Sequence, residues 1–344
     1  MRNNKIGIAV VGCGMIGKFH LRALKTIPEY EIIGVWDAAT ATALQVAETE
    51  HIKGYQSLDE LLSDPAVDTI DICLPSGLHS QYGCQVANAG KHVIVEKPID
   101  ISKANAEALV AACRANNVSL SVILQSRFSP SVQRVKAGLD NQILGRLIAA
   151  EATIKWFRDP NYYSGSQWKG TKALDGGGAL LNQGVHTIDL FLWFMGKVRS
   201  LTSLVRTTLH PIEVEDLAIA IMQFENGALG SITGSTALKP GFPERIELYG
   251  ETGSIVLEAG RIIRWKVDGC NEADYLDPVV TGSGSSDPSG IPIENHQRQL
   301  TAIAKALLIG EQPPVDGTEA LHALRLILDI YDADEKWIHY PTES

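Results

Sequence analysis

Three glycines, at positions 12, 14 and 17, constrain the fold of this chain more than any other sequence feature. They follow an apolar segment of strand length, residues 5–11, and precede an amphipathic segment, residues 15–27. Glycines in a tight turn between a strand and a helix let the backbone approach a pyrophosphate at the helix N-terminus. The pattern therefore predicts a dinucleotide site. Its predicted contacts at this turn are Gly12, Gly14, Met15, Ile16 and Gly17.

Asp37 ends the next apolar segment, twenty residues after Gly17. A carboxylate at this place suits the two hydroxyls of a ribose and repels a 2′-phosphate. The residues that follow, 38–40, include no arginine that could hold such a phosphate. The sequence therefore favours NAD over NADP. The alternative is an ordinary strand–helix turn followed by a surface aspartate.

Short apolar segments alternate with helical segments through residues 1–125. This rhythm predicts an α/β fold, a doubly wound parallel sheet of Rossmann type with helices on both faces. Ligands bind such sheets beyond the carboxyl ends of the strands. Two further strand ends therefore lie on the edge that carries the glycine turn. The predicted cofactor contacts there are Pro75, Ser76, His79, Glu96 and Lys97.

Two of these residues have simpler interpretations. Lys97 beside Glu96 could form a surface ion pair, although Pro98 favours a fixed turn and a functional lysine. His79 begins a helix, and a histidine in that position often bonds only to the backbone.

The pattern changes after residue 145 to closely spaced strands joined by tight turns, one of them at Asn226-Gly227. We expect a second domain, of α+β character with an open and largely antiparallel sheet, over residues 126–344. Two helices, 294–308 and 318–336, close this domain. Residues 278–290, rich in glycine, serine and proline, predict a mobile loop.

A polar stripe runs through the segment that follows Gly176-Gly-Gly178. In an α-helix, Asn182, His186 and Asp189 fall at positions i, i+4 and i+7 on one face. A polar stripe on a mostly apolar helix needs partners, and a ligand cleft supplies them. The alternative is a core histidine that is hydrogen-bonded to Asp189.

Aromatic and cationic residues are concentrated in segments 156–163 and 168–171. Such side chains suit a ligand that is rich in hydroxyls or negatively charged, although an oligomer interface uses the same residue types. The predicted substrate contacts are Arg127, Arg158, Tyr163, Trp168, Lys169, Asn182 and His186.

Charge and cysteine content exclude several classes of protein. The 344 residues include 30 Lys+Arg and 40 Asp+Glu, a net charge of −10 that disfavours nucleic acids and anionic membranes as partners. The five cysteines show no zinc-site spacing, so we expect free thiols, no metal and a reducing compartment. No apolar segment at the N-terminus is long enough to span a membrane. We therefore expect a cytoplasmic protein.

The order of these motifs resembles the glucose–fructose oxidoreductase/inositol dehydrogenase/MocA (Gfo/Idh/MocA) family. The residues that carry the resemblance are the glycine turn, the segment 90–98 ending in Glu-Lys-Pro, and the segment 176–190 with its Gly-Val-His-Thr-Ile-Asp. The resemblance implies a homodimer or homotetramer formed through the C-terminal sheet. It also implies hydride transfer between NAD(P) and a secondary hydroxyl of a sugar, cyclitol or nucleotide sugar.

In that family the counterparts of Lys97 and His186 are catalytic, and the resemblance extends this role to both. Many members have aspartate four residues before the histidine, where this chain has Asn182. An asparagine orients the imidazole but does not offset its positive charge. Two other functions remain open: a glycosidase that uses NAD in a transient oxidation, and a sensor that binds dinucleotide without turnover. The presence of both Lys97 and His186 disfavours the sensor.

Overall fold

The computed structural model describes residues 5–278 and 292–340. They divide into two compact units, with boundaries after Gln125, Pro292 and Leu321, so that the first unit includes residues 293–321. Most of the glycine-rich segment predicted as a loop lies outside the described residues. Within the described ranges, no helix combines the length and the hydropathy needed to cross a lipid bilayer.

The first unit is built on a parallel sheet of six strands in the order β3-β2-β1-β4-β5-β6. Every residue of β1 and β4 is buried, as expected for strands covered on both faces. The predicted Rossmann architecture is thereby confirmed. The strands are β1 Ile6–Val11, β2 Tyr30–Trp36, β3 Lys53–Gly54, β4 Thr69–Ile72, β5 His92–Val95 and β6 Leu120–Val122.

Five helices connect these strands. Two of them begin at serine caps, because the hydroxyls of Ser57 and Ser102 accept hydrogen bonds from the backbone amides of Glu60 and Asn105. The helices are α1 Met15–Leu24, α2 Thr40–Glu50, α3 Leu58–Leu62, α4 His79–Asn88 and α5 Lys103–Ala115.

The second unit contains a sheet of eight strands in the order β13-β12-β11-β7-β10-β9-β8-β14. All its pairings are antiparallel except that of β7 with β10, which confirms the predicted open, largely antiparallel sheet. Gly227, at φ +87°, closes the predicted turn between β9 and β10. The strands are β7 Leu147–Lys155, β8 Val198–Arg206, β9 Leu217–Phe224, β10 Leu229–Ser235, β11 Arg245–Gly250, β12 Gly253–Glu258, β13 Arg261–Val267 and β14 Ile338–His339.

The helical segment with the polar stripe is not one continuous α-helix. A π-helical turn, Ala179–Gly184, precedes α8, Val185–Met195, so Asn182 and His186 lie on different types of helix. A π-turn holds more residues than an α-turn and shifts the side chains that follow, which is why the predicted i, i+4 spacing fails here. The other helices of this unit are α6 Pro130–Asp140 and α7 Pro160–Ser164.

The last two helices are α9, Glu294–Ile309, and α10, Gly317–Asp332. Leu300, Ile303, Ala304 and Leu307 of α9 belong to the same buried cluster as residues of β1, so α9 is part of the first unit. This differs from the sequence-based division, because the apolar stripe of α9 does not itself show that α9 packs against α1, which is distant along the chain.

Helix α10 ends four residues before the predicted position, 336. Asp334 accepts a hydrogen bond from the backbone amide of Val205, which draws this segment toward β8 and into the edge strand β14.

Candidate active site

The glycine turn has a separate structural requirement at each of its three positions. Gly12 has φ +99°, a conformation that favours glycine. A Cβ on Gly17 would lie 1.9 Å from the carbonyl oxygen of Gly12, so glycine permits the close packing of α1 on β1. A Cβ on Gly14 would meet no atom within 4 Å. The turn therefore leaves open space beside Gly14, at the N-terminus of α1, as a pyrophosphate requires.

Asp37 joins the end of β2 to this turn. Its carboxylate accepts hydrogen bonds from the backbone amides of Cys13, at 2.7 Å, and Ala39, at 2.8 Å. Each oxygen retains a second lone pair, which suits ribose hydroxyls. Asp37 therefore braces the turn as well as offering acceptors to a ribose. This bracing role was not predicted.

The predicted edge residues do lie on one edge of the sheet. The glycine turn follows β1, Pro75 and Ser76 follow β4, and Lys97 follows β5, and these three strands are neighbours. Met15, with 70% of its side-chain surface exposed, stands at the start of α1, whereas Ile16 packs partly against the apolar cluster.

His79 is buried, and its ring nitrogens lie 2.7 Å from the carbonyl oxygen of Pro98 and 2.8 Å from that of Leu74. These contacts favour the simpler interpretation over a direct cofactor contact. His79 connects the loop after β4 with the turn that contains Lys97. Burial lowers the pKa of His79, although its contacts with the carbonyls of Pro98 and Leu74 oppose this shift.

Glu96 is buried beneath the same turn. One carboxylate oxygen lies 2.9 Å from Nε2 of His20, and the other accepts the backbone N–H of Lys97 at 3.0 Å. Both oxygens are therefore engaged within the first unit. This arrangement favours a role in positioning Lys97 over a contact with the nicotinamide.

In the second unit, Asn182 is bonded to a carboxylate that was not predicted. Its side-chain amide donates to Asp175 at 2.6 Å, and the second oxygen of Asp175 accepts the backbone N–H of Gly170 at 2.7 Å. Asp175 is buried. The carboxylate in this chain is therefore that of Asp175, the hydrogen-bond partner of Asn182. Many family members instead have a carboxylate at position 182 itself.

Glu215 holds the start of the π-helical turn. Its carboxylate accepts the backbone N–H groups of Gly178 and Leu180, at 2.7 and 2.8 Å, and the hydroxyl of Tyr331 at 2.9 Å. Burial raises the pKa of Glu215 to about 7, although these hydrogen bonds oppose the rise. A Cβ on Gly178 would lie 1.8 Å from the carbonyl oxygen of Glu215, which explains why that position is glycine.

Asp189 is paired with Arg127. The guanidinium donates two hydrogen bonds of 2.7 Å, one to each carboxylate oxygen, and both side chains are buried. The guanidinium also lies over the ring of Trp193, 5.1 Å from its centroid. The alternative interpretation, in which His186 is a core histidine bonded to Asp189, did not anticipate this pair. Arg127 therefore has a structural partner, whereas it was predicted as a substrate contact.

Cations and aromatic rings alternate in the segments predicted to bind substrate. Cζ of Arg158 lies 4.8 Å from the ring centroid of Trp156 and 5.4 Å from that of Tyr162. Nζ of Lys169 lies 3.7 Å from the ring centroid of Tyr162. Trp168 is half-buried. Arg158 itself is 4% exposed, so its charge lies within this cluster.

Tyr163 lies in the interior, and its hydroxyl donates to Oγ1 of Thr236 at 2.9 Å. It anchors the segment from inside, whereas the neighbouring Tyr162 stands between the two cations. Tyr163 was predicted as a substrate contact, but the ring between the cations is that of Tyr162, because sequence alone does not show which ring faces inward.

Comparison with known proteins identifies the family. A model described as an oxidoreductase family with an NAD-binding Rossmann fold matches residues 6–124, and the GFO/IDH/MocA C-terminal domain matches residues 132–256. An uncharacterized oxidoreductase of Schizosaccharomyces pombe is 30% identical over 73% of this chain and 70% of its own. The chain belongs to the Gfo/Idh/MocA family.

Relatives within the Gfo/Idh/MocA family span the whole chain. The myo-inositol 2-dehydrogenase of Thermotoga maritima is 26% identical over 93% of each chain. The WlbA dehydrogenase of Bordetella pertussis, solved in complex with NADH and UDP-GlcNAcA, is 27% identical and superposes over 100% of both chains with a TM-score of 0.89. The predictions of an oxidoreductase with an NAD-binding Rossmann domain are confirmed.

Several residues of this Gfo/Idh/MocA site were not predicted from sequence. Three of them, His20, Asp71 and Glu215, are buried polar groups whose partners are distant along the chain. A capping pattern marks a local partner, but no local pattern marks these. The other two, Asp175 and Tyr162, have partners within seven residues, but no simple helical or strand spacing marks those contacts.

Proposed function

We propose that the protein oxidises a secondary hydroxyl of a sugar, cyclitol or nucleotide sugar with NAD. The observation that carries the proposal is the position of Lys97, whose backbone is fixed by Glu96 on the sheet edge that also bears the glycine turn. Bound NAD supplies the acceptor for the hydride that leaves the carbinol carbon.

His186 and Lys97 have different roles at the hydroxyl group of the substrate. His186, at the start of α8, accepts the hydroxyl proton as general base. Lys97, as an ammonium, donates a hydrogen bond to the same oxygen and stabilises the negative charge that develops there. Asn182, fixed by Asp175, orients His186.

The cofactor is held by the glycine turn and Asp37. The open space beside Gly14 takes the pyrophosphate, and the backbone of residues 12–17 lines it. Asp37 accepts the ribose hydroxyls and disfavours a 2′-phosphate, so that NAD is preferred over NADP. Pro75 and Ser76 follow β4, the strand next to β1, and would contact the cofactor at the same edge of the sheet.

The cluster of Arg158, Lys169 and the ring of Tyr162 supports an anionic substrate. Arg158 and Lys169 flank Tyr162. Trp168 directly precedes Lys169 in the chain. Two cations among aromatic rings suit a sugar ring that bears a carboxylate or phosphate. The complex of the related WlbA dehydrogenase with UDP-GlcNAcA supports a nucleotide-linked uronate as the first candidate. Arg127 and Tyr163 act indirectly, through Asp189 and Thr236.

A substrate panel with NAD tests the function. It contains UDP-GlcNAcA, myo-inositol, levoglucosan and aryl glycosides, and both NADH and released aglycone are measured. Net NADH formation on a sugar or cyclitol supports the proposal. Aglycone release without net NADH identifies a glycosidase. Tight NADH binding with neither product on any compound identifies a sensor, and both of these results contradict the proposal.

A second copy of the chain pairs through one face of the eight-stranded sheet. Five large apolar side chains on this face are between 38% and 61% exposed, and strand register places them side by side. Substituting Ile221, in the middle of β9, by lysine should dissociate the oligomer in light scattering. A protein that is monomeric before substitution contradicts this arrangement. The five are Leu204, Ile219, Ile221, Leu229 and Tyr249.

A further inference from the structure

Beneath the turn that carries Lys97, three charged side chains meet in the interior of the first unit. His20 of α1 is fully buried, with Nδ1 2.7 Å from a carboxylate oxygen of Asp71 in β4 and Nε2 2.9 Å from a carboxylate oxygen of Glu96. Since an ionised carboxylate only accepts hydrogen bonds, both ring nitrogens donate. His20 is therefore an imidazolium between two carboxylates.

The charges of Asp71, His20 and Glu96, which form a triad, stabilise one another. Burial opposes a charge on His20, but Asp71 and Cys73 together raise the pKa of His20 well above its ordinary value. Burial likewise opposes ionisation of Glu96, yet the hydrogen bond from His20 lowers the pKa of Glu96 to about 2. The triad thus carries one net negative charge at neutral pH.

Two further titratable groups face the triad, and both are neutral. The thiol of Cys73 lies 3.8 Å from Asp71, and burial raises its pKa to about 12. His296 of α9 lies edge-on to the ring of His20, with Nε2 3.9 Å from Glu96, and burial together with the charge on His20 lowers its pKa to about 3. Neither group therefore changes the net charge of the triad.

A buried ion triad is a poor way to stabilise a core, because apolar side chains of similar volume often do as well or better. The effect of the triad here is to fix the position of the turn that carries Lys97. One oxygen of Glu96 is held by His20, and the other accepts the backbone N–H of Lys97 at 3.0 Å. On the other side of Lys97, the carbonyl oxygen of Pro98 is held by His79. The turn is thus anchored on both sides of the lysine.

We propose that the Asp71–His20–Glu96 triad is a positioning assembly for Lys97, with His20 fixing the carboxylate that holds the backbone of the lysine. The proposal rests on the proposed function for the role of Lys97 itself. His20 and Asp71 act through Glu96 on the turn and do not touch the substrate.

The first experiment needs no substrate. Hydrogen exchange of the Lys97 amide is measured in the full chain, unmodified and as His20→Gln, Asp71→Asn and Asp68→Asn. Without His20 the carboxylate of Glu96 is free to rotate, and exchange should quicken by about tenfold or more, the scale of one hydrogen bond to a charged acceptor. Asp71→Asn keeps the shape and should give a smaller increase in the same direction. Asp68→Asn, an equal charge change at the amino end of β4, should change nothing.

The second experiment separates positioning from a general structural role. His20→Gln should lower kcat by about tenfold to a hundredfold with NADH affinity within about threefold of the unmodified protein. In a Lys97→Met background the same substitution should lower kcat no further, because the group it positions is gone.

Two results overturn the proposal: unchanged exchange at Lys97 in both His20→Gln and Asp71→Asn, or an equal loss of kcat with and without Lys97. If Lys97→Met keeps full activity while the exchange result holds, the proposed role of Lys97 fails and the anchoring of its backbone stands. If His20→Gln does not fold, the more conservative Asp71→Asn decides between these outcomes.

Discussion

The side-chain amide of Asn182 donates a hydrogen bond of 2.6 Å to the buried carboxylate of Asp175. This contact fixes which way the amide points, with its nitrogen toward Asp175 and its oxygen away from it. In the family pattern an aspartate stands at position 182. Here the negative charge lies on Asp175, so the orienting role proposed for Asn182 would come without a charge at position 182 itself.

We predict that His186→Asn lowers the turnover rate by about 10²–10⁴-fold, since one general base contributes on that scale. The acid limb of the pH profile of kcat/KM should disappear in the same variant, because asparagine does not titrate. The profile is measured together with the melting temperature. A lower melting temperature with the acid limb unchanged would identify a core histidine instead.

The glycine turn gives a prediction with its own internal control. Gly14→Val should weaken NADH binding by about tenfold or more, because the side chain fills the pyrophosphate space and removes charge-assisted hydrogen bonds worth roughly 1.5–3 kcal/mol. Its melting temperature should hold, since a Cβ there meets no atom within 4 Å. NADH fluorescence and thermal melts report both quantities.

Gly17→Ala is the matched control for that variant. Its Cβ would lie 1.9 Å from the carbonyl oxygen of Gly12, so the free energy of unfolding should fall by about 1–3 kcal/mol, the usual scale of overpacking. Normal NADH affinity in Gly14→Val would show that the dinucleotide binds elsewhere.

The double substitution Asp37→Ser with Ala38→Arg should raise the ratio of NADP to NAD efficiency by about tenfold or more. It removes a repulsion and adds a charge-assisted contact worth roughly 1.5–3 kcal/mol. Because Asp37 also accepts the amides of Cys13 and Ala39, the affinity for NAD should fall at the same time. Steady-state kinetics with both cofactors test this, and an unchanged ratio means that the ribose is recognised elsewhere.

The titration of Glu215 predicts how the free energy of unfolding depends on pH. Its pKa is about 7 in the folded protein and about 4.3 in an unfolded chain, so the folded state binds the extra proton. The stability from this group is fully present below about pH 4.3 and is lost as the pH rises through about 7. It amounts to about 4 kcal/mol, since a pKa difference of one corresponds to about 1.4 kcal/mol.

Denaturation at about pH 5 and about pH 8 tests this prediction. Glu215→Gln removes the titration, so the deficit of the variant against the unmodified protein should be larger at the lower pH. Glu213→Gln, an exposed neighbour, is the control and should follow the unmodified protein. An equal deficit at both values would mean that Glu215 is ionised throughout.

Local features of the fold and the site were predictable from sequence. The glycine turn, the aspartate at the end of β2 and the Glu-Lys-Pro turn after β5 each depend on residues close together in the chain. Their common edge follows from the parallel sheet, because the carboxyl ends of such strands face the same way.

Partners distant in the chain were not predictable. Arg127 and Asp189 are 62 residues apart, and nothing near Asp189 marks a guanidinium as its partner. Helix α9 has an ordinary amphipathic pattern, which does not reveal that it packs against α1 and joins the core of the first unit. The π-turn before His186 depends on the carboxylate of Glu215, which comes from the loop before β9, so a regular helical period was predicted in its place.

The rate of NADH formation in Lys97→Met tests most directly whether Lys97 stabilises the reacting oxygen. Methionine keeps most of the side-chain volume and removes the charge. On the panel compound that the unmodified protein oxidises, we predict that kcat falls by about 10²–10³-fold, the scale of one oxyanion donor, while NADH affinity is nearly kept. A Lys97→Met enzyme whose kcat stays within about threefold of the unmodified value would contradict the claim.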